Sequence, residues 1–353
     1  MIYQTNISTM KTACVYHSID LDGWMSAAIV KHWFVTKHGK DCMEYRYNPE
    51  TTITEAIYKG AFETLKLEYP AITFIGYNYG QPIPDLAEYD KVIMCDISFP
   101  KDEMFKLFNR LDNKFIWIDH HISAIKECGQ LDEYGIVDIS TIFNGLRRTD
   151  NAACELTWNY FFPGYRMPDI VRLLGMYDCF SSRGTDEEQK VLEFQYGARS
   201  YIKNYEDAYI YLIKTVSDDL NSKMSLAFIQ TVGESIYKFL CTDAISSYKN
   251  GFKVRFDIPE LSGYPENGGK GYNFICINKE RFNPINFGIK YHEDGYDGAA
   301  CFHYANEMYN FSLYNDNGLV DCSVIAKQYG DGGHAGASGF RLNHEQFNKL
   351  LNL

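Results

Sequence analysis

The 353-residue sequence predicts an α/β protein, with an N-terminal parallel sheet and covering helices, followed by a smaller C-terminal α/β domain. From residue 12 to about 180, short apolar runs alternate with amphipathic stretches, which is typical of parallel strands joined by helices. From residue 251 onward, short aromatic-rich runs alternate with Gly, Asn and Pro turns, which favours strands in a second domain. We therefore predict a first domain over residues 1–200, a helical connector over 201–250 and a second domain over 251–353.

The predicted strands of the first domain are TACVYH, KVIMCD and NKFIWID. The predicted helices are GWMSAAIVKHWFVTKH, ITEAIYKGAFETLK over residues 53–66, PKDEMFKLFNRLD, NAACELTWNYFF and PDIVRLLGMYDCF, with a further helical region in the connector. His32 and His38 lie on the first helix without acidic partners, so we interpret them as surface or packing residues. In open parallel sheets, ligands bind beyond the carboxyl ends of the strands, and that edge is where we look for a site.

Composition restricts the class of partner. The chain has 34 Lys+Arg against 46 Asp+Glu, a formal charge of -12, which disfavours a protein that coats duplex nucleic acid. A small anionic substrate remains compatible if metal ions supply positive charge. The ten cysteines form no CxxC pair and are expected to be buried, reduced thiols. Since no leader or membrane-spanning run is evident, we expect a cytoplasmic protein.

Acidic and imidazole side chains follow each of the three predicted strands. They are His17, Asp20 and Asp22 after the first strand, Asp96 after the second, and Asp119, His120 and His121 after the third. Crowded carboxylates repel one another, and divalent cations remove that cost. Carboxylates mixed with imidazoles, without converging cysteines, suit Mn²⁺, Mg²⁺ or Fe²⁺ better than structural zinc. Two such ions sharing one carboxylate would favour phosphoester hydrolysis.

These motifs resemble the DHH phosphoesterase superfamily, named for a triplet that is Asp119, His120 and His121 here. His17-x-x-Asp20-x-Asp22-Gly23 and VIMCD, both upstream of the triplet, belong to the same resemblance. Four stretches are similar to the branch that contains NrnB-type oligoribonucleases and cyclic nucleotide phosphodiesterases, namely IMCDISFP, FIWIDHHISAI, DNAACELTWNYFFPG and PDIVRLLGMYDCF. Near the C-terminus, YGDGGHAGASGF resembles the glycine-rich signature of the DHHA1 substrate-binding domain. The resemblance implies a DHH domain joined to a DHHA1 domain, with a cleft between them that admits a short nucleotide chain.

The resemblance also implies roles for individual residues. His17, Asp20 and Asp96 would hold one ion; Asp22, Asp96, His120 and Asp178 would hold the other. Asp119 and His121 would be catalytic, and Gly332, Gly333 and His334 would contact substrate. The cofactor would be two divalent ions, Mn²⁺ foremost, with Mg²⁺ or Fe²⁺ as alternatives. Independently of the family, Arg147 and Arg148 in a polar loop either clasp a phosphate or form a solvated turn.

The implied function is a metal-dependent phosphodiesterase that hydrolyses short oligoribonucleotides (nanoRNA), or small nucleotides such as pAp or cyclic (di)nucleotides, by two-metal activation of water. Two alternatives stay open: a pyrophosphatase or polyphosphatase of the DHH type, and a non-catalytic nucleotide-binding protein. The expected partner is short single-stranded RNA or a small nucleotide. Long duplex nucleic acid and membranes are not expected as partners, and a homodimer is left open.

Overall fold

The computed structural model describes residues 10–43, 72–129, 143–216, 219–258, 270–280, 282–330 and 332–351. The helix predicted over residues 53–66 lies outside the described residues. The chain divides into two compact units, Met1–Glu234 and Ser235–Leu353, and each is described by itself. The division predicted from the sequence, at residues 200 and 250, stays a prediction.

The first unit contains a parallel four-stranded sheet. Its strands are β1 (Thr12–His17), β2 (Ile72–Tyr77), β3 (Lys91–Cys95) and β4 (Phe115–Ile118). Their order is β2-β1-β3-β4, and every pair is parallel. The carboxyl ends of all four strands therefore meet at one edge of the sheet. Three of these strands match the predicted ones, whereas β2 was not predicted.

Helices cover both faces of this sheet. They are α1 (Leu21–Met43), α2 (Lys101–Leu111), α3 (Ile122–Glu127), α4 (Ala153–Phe161), α5 (Asp169–Asp178), α6 (Glu188–Tyr201) and α7 (Tyr205–Thr215). A long helix, α8 (Leu220–Lys249), runs past the boundary between the two units. The predicted α/β class is confirmed, since a parallel sheet between layers of helices is its defining arrangement.

Alternate residues of each strand contribute to different layers of the core. Val15, Met94 and Trp117 pack in a cluster that includes residues of α2. Their neighbours Cys14 and Ile93 pack in a cluster that includes residues of α1 and α4. Because successive side chains of a strand point to opposite faces, both faces of the sheet are apolar and covered. This burial fixes the strands firmly, so the residues that follow them are held in defined positions.

His32 packs on the outer part of this core. Its ring centroid lies 5.4 Å from that of Phe162 and 6.5 Å from that of Tyr209. Burial in this aromatic environment lowers the pKa of His32 to about 4. The interpretation of His32 as a packing residue agrees with this placement.

We expect His32→Gln to make the protein less sensitive to acid between pH 6.5 and 4. An unfolded chain has a histidine pKa of about 6.5, so between these values the unfolded state binds the extra proton. As the pH is lowered through this range, the free energy of unfolding therefore decreases by at most about 1.4 kcal/mol per pH unit. Urea unfolding from about pH 7 to about pH 4.5 checks this. Equal losses in wild type and variant would contradict the assignment.

The second unit contains a mixed six-stranded sheet. Its strands are β5 (Phe252–Ile258), β6 (Lys270–Asn278), β7 (Gly298–Ala305), β8 (Met308–Tyr314), β9 (Gly332–His334) and β10 (Ala337–Leu342). Their order is β5-β6-β7-β8-β10-β9, with β6 and β7 parallel and the other pairs antiparallel. Helices α9 (Cys322–Gln328) and α10 (His344–Leu351) share its aromatic core, in which Phe347 stacks on Tyr309.

Two further expectations concern cysteines and membranes. None of the cysteines whose side chains are described forms a disulfide, and most of them are buried. Within the described parts of the chain, no helix has both the length and the apolar character needed to cross a lipid bilayer. The cytoplasmic location stays a prediction.

Candidate metal centre

The turn from β1 into α1 brings His17 next to Asp20. Nδ1 of His17 lies 2.8 Å from Oδ2 of Asp20. The other oxygen of that carboxylate, Oδ1, accepts a hydrogen bond from the backbone N of Gly23 at 3.0 Å. Burial opposes protonation of His17, but Asp20 and Asp96 outweigh it and raise its pKa to about 11. Without a metal ion, the two carboxylates therefore favour the protonated form of this imidazole.

Asp22 lies in the first turn of α1, yet its carboxylate caps a different helix. Its Oδ2 accepts a hydrogen bond from N of Ala153 at 2.9 Å, and its Oδ1 accepts one from N of Cys154 at 2.7 Å. These amides begin α4 and lack acceptors within that helix. Oδ2 also lies 3.7 Å from Nε2 of His120. Because a carboxylate has about four lone pairs, Asp22 can cap α4 and still offer an oxygen to a cation.

Asp96 follows β3 and lies at the centre of the group. Its φ of 61° is in the left-handed region, an uncommon conformation that is found at functional sites. Oδ2 lies 3.4 Å from Nδ1 of His17, and Oδ1 lies 3.3 Å from Nε2 of His120. The residue is 1% exposed. Burial raises the pKa of Asp96 well above its ordinary value, and the charges of Asp22 and Asp20 raise it further.

Asp119 organises the turn after β4. Its Oδ1 accepts hydrogen bonds from N of His120 at 2.7 Å, N of His121 at 3.1 Å and Nδ1 of His121 at 2.8 Å. Its Oδ2 accepts one from Nε1 of Trp117 at 3.1 Å. Burial of Asp119 opposes its ionisation, but the adjacent histidines lower its pKa below the ordinary value. The hydrogen bonds of this carboxylate thus fix the ring of His121 and the backbone of both histidines.

His120 faces three carboxylates. Its Nε2 lies 3.3 Å from Asp96 Oδ1, 3.4 Å from Asp178 Oδ2 and 3.7 Å from Asp22 Oδ2. Burial opposes protonation of His120, but these charges, that of Asp178 foremost, raise its pKa. On the other side of the ring, Nδ1 lies 3.7 Å from Sγ of Cys179. Cys179 was not among the candidate residues named from the sequence; its place directly after Asp178 was the available signal.

The assembled residues fit a divalent cation. Three groups of potential ligand atoms, each lying within 4.8 Å of one another, are His17, Asp20 and Asp96; Asp96, His120 and His121; and His120, Asp178 and Cys179. Asp96 is shared by two of them. Its Oδ1 is buried and has no hydrogen-bond donor among the described residues. A cation would neutralise the crowded carboxylates and supply the missing partner for that oxygen.

The first group is the set expected to hold one ion. The other ion is expected to be held by Asp22, Asp96, His120 and Asp178. In this set, the three carboxylates lie around a single atom, Nε2 of His120. Carboxylate oxygens and imidazoles together suit ions such as Mn²⁺, Mg²⁺ and Fe²⁺. This part of the structure could therefore bind metal.

The two loop arginines differ sharply. Arg147 is 4% exposed, and its guanidinium donates to the carbonyl oxygens of Phe143 at 2.6 Å and Trp117 at 2.8 Å. This buried position corrects the expectation that it contacts substrate, because its charge is used to hold the loop onto β4. Arg148 is exposed and makes a bidentate pair with Asp150 at 2.9 and 2.6 Å. Its phosphate contact stays a prediction.

The predicted substrate residues of the second unit form β9. Gly332, Gly333 and His334 are exposed and pair with β10 at the edge of the sheet. Gly333 has a φ of 148°, and a Cβ there would lie 2.8 Å from the carbonyl oxygen of Ala337. The strand thus requires a residue without a side chain at this position. Its substrate contact stays a prediction.

The sequence analysis missed the contribution of β2. Asn78 and Tyr79 follow this strand at the same sheet edge as the other candidates. Oδ1 of Asn78 lies 3.3 Å from Nε2 of His17, and the Tyr79 ring centroid lies 6.2 Å from that of His17 and 6.3 Å from that of His121. The signal was present, since ITFIGY is an apolar run followed by polar residues, as in the three predicted strands.

Comparison with protein families gives one match to the N-terminal part of the chain. The model of the DHH family, N-terminal domain, matches residues 11–172. This range contains the four strands and every candidate metal ligand except Asp178 and Cys179. Among curated proteins, the uncharacterized protein R106 of Acanthamoeba polyphaga mimivirus is 23% identical over 336 residues, which cover 93% of this chain and 67% of that protein.

Solved structures that resemble the chain include three bacterial proteins. A pGpG-specific phosphodiesterase, PggH from Vibrio cholerae, has a TM-score of 0.43 and 11% identity, covering 97% of this chain and 96% of its own. An exopolyphosphatase-related protein from Bacteroides fragilis has a TM-score of 0.36 and 12% identity, covering 98% and 91%. An uncharacterized protein from Helicobacter pylori G27 has a TM-score of 0.30 and 12% identity, covering 97% and 99%. These TM-scores are too low to establish a shared overall arrangement.

Proposed function

We propose, on the premise that residues 11–172 form a DHH-family N-terminal domain, that this chain is a metal-dependent phosphodiesterase acting on short RNA or small nucleotides. The family supports a phosphoesterase. The finer assignment, an NrnB-type oligoribonuclease that releases nucleoside monophosphates, rests on the motifs around Asp96, Asp119 and Asp178.

One observation carries the proposal: Asp96 is shared between two groups of potential ligands. Its two oxygens face different histidines, Oδ2 towards His17 and Oδ1 towards His120. A carboxylate with both oxygens so placed suits a pair of cations better than a single one. Two-metal sites of this kind are used for in-line displacement at phosphorus.

Each side chain has a role in this scheme. His17, Asp20 and Asp96 would hold one ion, and Asp22, Asp96, His120 and Asp178 would hold the second, with Mn²⁺ as the preferred metal. When bound, such ions lower the pKa of water and neutralise charge on the phosphoryl oxygens. Asp119 keeps the histidines in place through the hydrogen bonds to its Oδ1.

His121 is the residue we assign to the phosphate. Its Nδ1 donates to Asp119, and its Nε2 is the atom that we assign to the substrate. Burial opposes protonation of His121, but Asp119 and Asp96 outweigh it and raise its pKa to about 9. This raised pKa favours the protonated ring, whose Nε2 can donate a hydrogen bond to a phosphate oxygen.

The rest of the proposal concerns substrate and partners. Gly332, Gly333 and His334 of the second unit would contact the distal part of the nucleotide, with Arg148 as a further phosphate contact. The net charge of -12 favours a short substrate over long duplexes. We propose a cytoplasmic enzyme that acts away from membranes, and a homodimer remains compatible with this scheme.

The test is product analysis with a matched panel of a short RNA, pAp, a cyclic dinucleotide and pyrophosphate. We expect mononucleotide release from the RNA with Mn²⁺, and none after treatment with a chelator, because the crowded carboxylates need a cation to act on an anionic substrate. Mn²⁺ should also raise the unfolding temperature, since binding at about 100 times Kd adds about 2.7 kcal/mol to the stability.

Two variants make this test specific to the candidate centre. Asp119→Asn should lower turnover by on the order of 10²-fold, because the carboxylate that orients the histidines is lost. Asp102→Asn, at an exposed position of α2, should behave like the wild type. Turnover of pyrophosphate alone would favour the pyrophosphatase alternative. Nucleotide binding without any turnover in Mn²⁺ would favour a non-catalytic binding protein.

A further inference from the structure

The loop after β2 contains a side chain with a fixed orientation. Oδ1 of Asn78 accepts a hydrogen bond from the backbone N of Tyr79 at 2.9 Å. The backbone N of Asn78 in turn donates to Oε1 of Gln81 at 2.9 Å. Because a backbone N–H can only donate, the atom it meets must be the amide oxygen of Asn78. The local backbone therefore settles which way this amide points.

This orientation determines the tautomer of His17. Nε2 of His17 lies 3.3 Å from the same oxygen of Asn78, which can only accept. Nε2 must then carry the hydrogen. In a neutral ring with Nε2 protonated, Nδ1 presents a lone pair.

That lone pair faces two carboxylates. Nδ1 lies 2.8 Å from Oδ2 of Asp20 and 3.4 Å from Oδ2 of Asp96. The atom is buried and makes no geometrically acceptable hydrogen bond to the described residues. A lone pair and two carboxylate oxygens repel one another unless a cation or a proton lies among them. The arrangement matches a site for a divalent ion with one nitrogen and two oxygen ligands.

We propose that Asn78 is a positioning residue that fixes His17 with its hydrogen on Nε2, so that Nδ1 is the metal-binding atom. This inference rests on the proposed function and adds a residue outside the motifs that suggested it. A metal-binding histidine generally donates its other N–H to an oxygen acceptor, and losing that acceptor costs about 10- to 100-fold in metal affinity.

The two histidines that flank the centre have different partners. His121 donates from Nδ1 to the carboxylate of Asp119, and the proposed scheme assigns its Nε2 to the substrate. His17 donates from Nε2 to the neutral amide of Asn78, which leaves its Nδ1 for metal. The hydrogen-bond acceptor therefore holds Nδ1 in His121 and Nε2 in His17.

The first test is Mn²⁺ titration by calorimetry of the chelator-treated full chain. Asn78→Leu, which is close in size but has no acceptor, should weaken binding of one ion by about 10- to 100-fold. Asn78→Asp keeps an acceptor and should stay within a few-fold of the wild type. The control Gln81→Ala removes the hydrogen bond that Oε1 of Gln81 accepts from N of Asn78, leaves His17 unchanged, and should also bind normally. Wild-type affinity in Asn78→Leu would overturn the proposal.

A second measurement needs no variant of the loop. Nitrogen-15 NMR of the histidine rings in the wild-type chain loaded with diamagnetic Zn²⁺, with His17→Gln to assign the signal, reports which nitrogen is metal-bound. We expect Nδ1 bound and Nε2 protonated; the reverse would overturn the inference. If the chain binds neither Mn²⁺ nor Zn²⁺, the proposed function itself fails, whereas binding through Nε2 would refute only the role of Asn78.

Discussion

Replacing Asp96 by asparagine is expected to lower phosphodiester hydrolysis by about 10³-fold or more and to stabilise the chelator-treated protein. Activity should fall because the residue shared by both ligand groups loses its charge. Stability should rise because the pKa of Asp96 is raised by burial, so the ionised carboxylate opposes folding. An asparagine keeps the shape and tolerates the φ of 61°. The gain should appear as a higher urea midpoint for the variant than for the wild type.

Urea unfolding in the presence of chelator and turnover in the presence of Mn²⁺ measure the two effects on the same protein. Asp112→Asn is the matched control, because Asp112 also has a positive φ, of 49°, but is exposed at the end of α2. Neither quantity should change in the control. Loss of activity together with loss of stability in Asp96→Asn would indicate a structural role instead of a metal-binding one.

Gly23→Ala is expected to destabilise the protein by about 3 kcal/mol or more. A Cβ at Gly23 would lie 2.0 Å from the carbonyl oxygen of His17 and 2.7 Å from its Cβ. Both are too close, so α1 would have to move away from the end of β1. The same movement would displace Asp20, whose Oδ1 is held by N of Gly23. Urea unfolding should therefore show lower stability, and Mn²⁺ titration should show weaker binding.

The control for Gly23→Ala is Gly332→Ala. A Cβ at Gly332 would meet no atom within 4 Å, and its φ is not positive. The change in the free energy of unfolding should stay within about 0.5 kcal/mol. Equal effects of the two variants would contradict the close contact with His17 as the cause of the loss at Gly23.

Much of the candidate centre could be predicted because its signals are local. The runs that form β1, β3 and β4 are buried on both faces, so they are continuously apolar and end abruptly at His17, Asp96 and Asp119. A parallel sheet then brings those ends to one edge without any knowledge of tertiary contacts.

What the sequence analysis missed has either a weak local signal or depends on contacts between distant segments. Strand β2 lies at the edge of the sheet and is only partly buried, so its apolar pattern is weaker. Arg147 looks like a surface residue in a polar loop, and only the fold shows that carbonyl groups of β4 and its neighbours surround it. The contact of Asn78 with His17 joins residues 61 positions apart, which no local pattern encodes.

The bonds from Asp22 to the amides of Ala153 and Cys154 have a consequence for the order of folding. They join segments 131 and 132 residues apart, and closing so long a loop is slow compared with forming a helix. During synthesis, the acidic residues near the N-terminus therefore emerge well before α4 reaches them. A cation that meets such an incomplete chain finds only scattered ligands. Metal uptake would accordingly be a late event, coupled to the arrival of α4 on α1.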